Sequence, residues 1–154
     1  MGVEIERKFL LKNSDWKKQV DTVIHIQQGY LCSDKERTVR IRVSGERAWI
    51  TIKGESIGMS RAEFEYEIPF EEGSSLIGLC EKPIIDKKRY IVKTNEVTWE
   101  IDEFAGLNSG LTIAEVELES EEKTFDLPDW LGKEVTGDPK YYNSSLIKNP
   151  FTKW

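Results

Sequence analysis

Val3-Glu4-Ile5-Glu6-Arg7-Lys8-Phe9-Leu10 decides how this chain is read, because charged and apolar side chains take turns along it. A β-strand sends successive side chains to opposite faces, so Glu4, Glu6 and Lys8 share one face while Val3, Ile5 and Phe9 share the other. The charged face combines two kinds of ligand. Carboxylate oxygens suit hard divalent cations such as Mg²⁺, and an ammonium group can hold a phosphate oxygen. In isolation such a triplet reads best as a solvated strand face.

Repetition changes that reading. Arg40 and Arg42 alternate with Val39, Ile41 and Val43, and Lys53 ends the run from Ala48. Glu63, Glu65 and Glu67 alternate with Phe64, Tyr66 and Ile68, while Lys87 and Arg89 precede Tyr90 and Ile91. Glu100 and Asp102 flank Ile101; Glu115, Glu117 and Glu119 alternate with Val116 and Leu118. Each segment favours one sign, although like charges on paired strands repel. Acidic strands facing basic strands across a cavity, with a metal and a phosphate group completing it, explain the segregation. The inverse arrangement, apolar inside and charged outside, does not.

At 154 residues, one domain with its own core is expected, spanning residues 1–154. The 28 acidic and 22 basic residues give a net charge of −6. That balance argues against an extended nucleic-acid or membrane surface but not against a small polyanion held by a local basic cluster. No run approaches the ~20 apolar residues of a membrane span and the charged N-terminus does not resemble a signal peptide, so a cytoplasmic protein is expected. Cys32 and Cys80 are read as packing residues, and the single His25 excludes multi-histidine zinc sites.

The patterning predicts eight strands, near residues 2–11, 23–32, 36–44, 47–54, 62–70, 84–93, 96–104 and 112–119. Short helices are expected over 14–20 and 71–79, and a third near Pro128. Ser44-Gly45-Glu46 and Thr94-Asn95-Glu96 read as hairpin turns, which makes sequence neighbours antiparallel. The expected class is therefore α+β, mainly antiparallel β: an eight-stranded closed barrel with a charged interior and short helices packed outside.

Glu4-Ile5-Glu6-Arg7-Lys8-Phe9 closely resembles the E-x-E-x-K signature of the CYTH superfamily, the triphosphate tunnel metalloenzymes. The resemblance continues through Gln28-Gly29-Tyr30-Leu31, the alternating segments above, and Lys140-Tyr141-Tyr142-Asn143. It implies a tunnel that binds a triphosphate with Mg²⁺ or Mn²⁺, one or two ions per site. It suggests Glu4, Glu6, Glu63, Glu65, Asp102, Glu115 and Glu117 for the metal set, and Lys8, Arg40, Arg42, Lys53, Lys87, Arg89 and Lys140 for phosphate. Glu4, Glu6, Lys8 and Glu117 are the expected catalytic residues. Short members with this opening resemble inorganic triphosphatases, so the expected reaction is hydrolysis of tripolyphosphate to pyrophosphate and phosphate. Thiamine triphosphatase and nucleoside or RNA triphosphatase are the alternatives, followed by adenylate cyclase and a non-catalytic polyphosphate binder. A monomer or homodimer is expected.

Overall fold

The computed structural model describes residues 2–154. Its elements in chain order are β1 (Gly2–Leu11), β2 (Val20–Asp34), β3 (Arg37–Ser44), β4 (Arg47–Gly54), β5 (Ser60–Ile68), α1 (Phe70–Leu79), β6 (Ile85–Lys93), β7 (Thr98–Phe104), β8 (Thr112–Glu117), β9 (Leu131–Glu134) and α2 (Asn143–Lys148). The strands pair in the order β5-β4-β3-β2-β6-β7-β8-β1, and a β1–β5 pairing closes the ring. All these pairings are antiparallel. The eight expected strands are all present, each boundary within three residues of its expected place.

Two expectations about helices fail. The segment after Pro128 forms β9 instead of a helix, because its backbone finds partners on the free edge of β1, pairing Phe9 with Glu134 and Leu11 with Leu131. The first expected helix is a five-residue 3-10 turn, Asp15–Gln19, whose Trp16 is buried against the barrel. Unforeseen altogether is α2, whose Leu146 and Ile147 are buried. It does not lie on the outside with α1.

Strand alternation places two separate cores. Phe9, Val92, Trp99, Ile101, Ala114 and Val116 point outward from β1 and β6–β8, covered by Trp16, Leu118 and Trp130. Burying aromatics of this size stabilises by roughly 2–3 kcal/mol each. The second core lies on the inward face. Leu10, Ile85, Phe104 and Ile113 follow Lys8, Lys87, Asp102 and Glu115 at two-residue spacing, and they pack on Leu146 and Ile147 of α2. The barrel interior is thus charged over most of its length and apolar at one end, where α2 stoppers it. Among the described residues no helix is long and apolar enough to cross a membrane.

α1 packs outside β3 and β4, with Gly73 directly over Ala48. A Cβ built on Gly73 collides with the Ala48 methyl. Gly73→Ala is therefore expected to cost about 1–3 kcal/mol in urea unfolding, and adding Ala48→Gly should recover part of that loss. Full stability of the single variant would contradict this packing.

Candidate functional site

The strand order converts alternating charge into two walls. Lys53 on β4, Arg40 and Arg42 on β3, and Lys87 and Arg89 on β6 come from one run of neighbouring strands. Glu100 and Asp102 on β7, Glu115 and Glu117 on β8, Glu4 and Glu6 on β1, and Glu63 and Glu65 on β5 come from the other. Between them lies a cavity of about 900 Å³, open mouths included. Seven carboxylates and seven cationic side chains line it, so the arrangement of charges, not their sum, sets its chemistry.

The deepest contact is a buried triad. Asp102 receives Lys87 Nζ at 2.7 Å on Oδ2, and Arg89 at 2.7 Å (Nε to Oδ1) and 2.9 Å (Nη2 to Oδ2). Burial alone would raise the Asp102 carboxyl, but Arg89 and Lys87 outweigh it and hold the group well below the usual range. Arg89 also reaches Glu100 at 3.4 Å and Glu115 at 3.6 Å, and Lys8 reaches Glu115 at 3.7 Å. Elsewhere Lys53 bonds both oxygens of Glu4 at 2.9 and 3.1 Å and lies 3.6 Å from Glu63. Arg40 donates to Thr51 at 3.1 Å and meets Glu65 at 3.4 Å. Its buried Nε has no acceptor.

Carboxylates are over-concentrated on the acidic wall. Glu6 stands directly opposite Glu117, and Glu100 opposite Glu115, pairings that repel in a sheet. Carboxylate oxygens of Glu4, Glu63 and Glu117 all lie within 4.8 Å of one another, a donor set suited to a hard divalent cation. Burial and then Glu115 push the Glu6 carboxyl up to about 8 against the pull of Lys8. Glu63 and Glu117 are also raised, first by burial and then by Glu4. On the opposite wall, burial takes the Lys87 ammonium down to about 7, because Arg89 and Arg42 add repulsion to a site that Asp102 only partly offsets.

Lys8, Arg40, Arg42, Lys53, Lys87 and Arg89, expected to face phosphate, all line the cavity, as do Glu4, Glu6, Glu63, Glu65, Glu115 and Glu117. The three-carboxylate corner takes in Glu4, Glu63 and Glu117. Asp102, expected among metal ligands, instead has both oxygens engaged by Lys87 and Arg89. Lys140, expected in the phosphate set, lies outside the lining, its ammonium 3.9 Å from the centroid of the Trp154 ring. Sequence reasoning missed Arg61, Tyr30, Thr38, Tyr142, Asn143 and Ser144, which also line the cavity. Arg61 follows the two-residue beat of Glu63 and Glu65 and was legible by extending it. The 142–144 segment lies outside any strand and carried no such signal.

Residues 2–146 match the CYTH domain family. The chain belongs to the CYTH family. Among relatives of this CYTH chain, the inorganic triphosphatase of Acetivibrio thermocellus is 49% identical over 152 residues, 98% of this chain and 97% of that protein. The inorganic triphosphatase of Nitrosomonas europaea is 36% identical over 150 residues, 93% and 95% of the two chains. A crystal structure of an inorganic triphosphatase, 34% identical, matches with a TM-score of 0.65 over 94% of this chain and 93% of that one.

The crowded acidic wall of this CYTH domain has a consequence for pH. In the folded, metal-free protein the carboxyls of Glu6, Glu63 and Glu117 sit above their unfolded value of about 4.3, so the native state binds more protons than the unfolded one. Their contribution to stability is complete below that value and is lost as pH rises through the native values, about 8 for Glu6. Asp102 acts oppositely, and only below the ordinary carboxylate range. With chelator present, the melting temperature should fall by roughly 5–10 °C between pH 5 and pH 7, below the range in which Lys87, held at about 7, acts in the opposite direction. Glu6→Gln should flatten that slope, and a wild-type profile that is level or rising would contradict the assignment.

Proposed function

We propose that this chain hydrolyses inorganic triphosphate to pyrophosphate and phosphate, using a divalent cation, Mg²⁺ or Mn²⁺, at Glu4, Glu63 and Glu117. The observation that carries the reading is the facing of that carboxylate corner by a basic wall with unspent donors. Arg40 Nε lacks an acceptor, and no carboxylate lies within ion-pair distance of Arg42 among the described residues. The relatives named inorganic triphosphatase support it, the nearer of those described at 49% identity over almost the whole chain. The lining supports an inorganic substrate as well. Among the described residues Tyr30 and Tyr142 are its only aromatic members and none is aliphatic, so a nucleoside or thiamine group would find little to pack against.

The donor set fits a cation: three carboxylates converge within 4.8 Å, and burial and then Glu4 hold Glu63 and Glu117 above the ordinary carboxylate range. When bound, the cation supplies neutralisation of phosphate charge and a water of lowered pKa. Arg40 and Arg42 would hold phosphate oxygens in fork geometry, with Lys53 and Lys8 as point charges and Arg89, whose fork faces Asp102, adding positive potential. Glu115 and Glu6 hold Lys8 above its ordinary value despite burial, so it binds as an ammonium. A carboxylate of the acidic wall would accept the proton of the attacking water, while Lys87 donates to Asp102 and Asn143. Attack at a terminal phosphorus then breaks its bond to the bridging oxygen, and pyrophosphate leaves. Asp102 positions Lys87 and Arg89. Hydrolysis inside a polar cavity of this size needs no extended partner surface, in keeping with a cytoplasmic enzyme acting on a small polyanion.

Parallel assays with tripolyphosphate, thiamine triphosphate, ATP and triphosphate-ended RNA test the substrate. Preferential turnover of tripolyphosphate is expected; comparable turnover of ATP, or formation of cyclic AMP, overturns the reading. Glu117→Gln should reduce metal-dependent turnover by roughly 10²-fold or more while tripolyphosphate still binds in calorimetry. Arg40→Ala should raise KM and lower kcat together, by about tenfold in kcat/KM or more.

A further inference from the structure

Five of the seven cations lining the cavity have a carboxylate within ion-pair distance: Lys8, Arg40, Lys53, Lys87 and Arg89. Arg42 does not, although burial and the neighbouring Arg40 and Arg89 push its guanidinium down to about 9. What holds it is neutral. Arg42 Nε donates to Gln28 Oε1 at 3.2 Å, and Gln28 Nε2 donates to Asn143 Oδ1 at 3.1 Å. The same Asn143 oxygen receives Lys87 Nζ at 3.1 Å. Both ends of this chain are cations that can only donate, so the orientation of each amide is forced: each oxygen must face a cation and the Gln28 NH₂ must face Asn143. The Asn143 NH₂ is left without a protein acceptor among the described residues, on a side chain that lines the cavity. Gln28 is fully buried beneath the wall.

We propose that Gln28 and Asn143 are positioning residues for triphosphate binding, fixing Arg42 through neutral amide oxygens so that its charge stays available for the substrate. This rests on the triphosphatase reading above. A carboxylate at either position would put a negative charge into the chain and spend that of Arg42, as Asp102 already does for Lys87 and Arg89. An aliphatic side chain would leave the guanidinium fork free to swing. The amide fixes direction without neutralising. Asn143 also opens α2, so the stopper that seals the apolar end is tied by this chain to the substrate-facing wall.

Gln28→Glu and Asn143→Asp, both near-isosteric, separate this role from simple packing. Asn143→Asp keeps the accepting oxygen and gives up only an NH₂ with no protein acceptor among the described residues, so a purely structural role predicts unchanged kinetics in that variant; Gln28→Glu also gives up the NH₂ bonded to Asn143 and is read beside it. The positioning role predicts a KM for tripolyphosphate raised about tenfold or more with a smaller change in kcat. It also predicts a matching loss of tripolyphosphate affinity in calorimetry with chelator present. Gln28→Met, which lacks the acceptor, should lower kcat as well. Unchanged KM and affinity in the two acidic variants overturn the proposal. Should buried Gln28→Glu fail to fold, Asn143→Asp decides alone, since its side chain is only partly buried. Wild-type protein that binds tripolyphosphate without turning it over sinks the triphosphatase reading instead, and the calorimetric comparison still decides the positioning claim.

Discussion

Ionised groups facing into a closed ring of strands have little bulk water to screen them, so each needs a partner or a ligand. Asp102 is the clearest case met from within: buried with Lys87 and Arg89, it satisfies two cations at once. Such a cluster contributes little net stability against an apolar equivalent, and removing one member leaves the others stranded. The remaining charges divide in an informative way. Carboxylates are in excess around Glu4, Glu63 and Glu117, while among the described residues Arg42 and Arg61 have no carboxylate within ion-pair distance and bond neutral oxygens of Gln28 and Gly54. A molecule that brings a cation to the first group and an anion to the second completes the balance.

β1 is where that balance is enforced. One edge pairs with β8 from Glu6 to Leu10; the other pairs with β5 from Gly2 to Ile5 and then with β9 near Phe9 and Leu11. The strand that closes the ring therefore also carries Glu4, Glu6 and Lys8 into the cavity. Arg7, on its outer face, ties the closure to β9 through Glu134 at 2.7 and 2.9 Å. Closure and site share one strand.

Most of this was legible in the sequence because strands announce themselves by a two-residue period, and here the period carries charge. Glu63 and Glu65, Lys87 and Arg89, and Glu115 and Glu117 could each be assigned an inward face from their alternation with Phe64, Tyr90 and Val116. The hairpin at Gly45, with its φ of 64°, was announced by its glycine. What escaped lacks a period. β9 has four residues and exists only because β1 offers an edge; α2 has six, too few for a helical pattern to stand out. The change from charged to apolar along one inward face, from Lys8 to Leu10 and from Lys87 to Ile85, was visible but could not be interpreted without α2 in place. Asp102 fell into the acidic set because alternation reports which face a side chain takes, not which neighbour claims it.

The α2 stopper turns a would-be conduit into a dead end. Leu146 and Ile147 fill the bore beside Phe104 and Ile113, so nothing threads through in that direction. A linear polymer of phosphates can present only a terminus to such a chamber and must back out by the way it came.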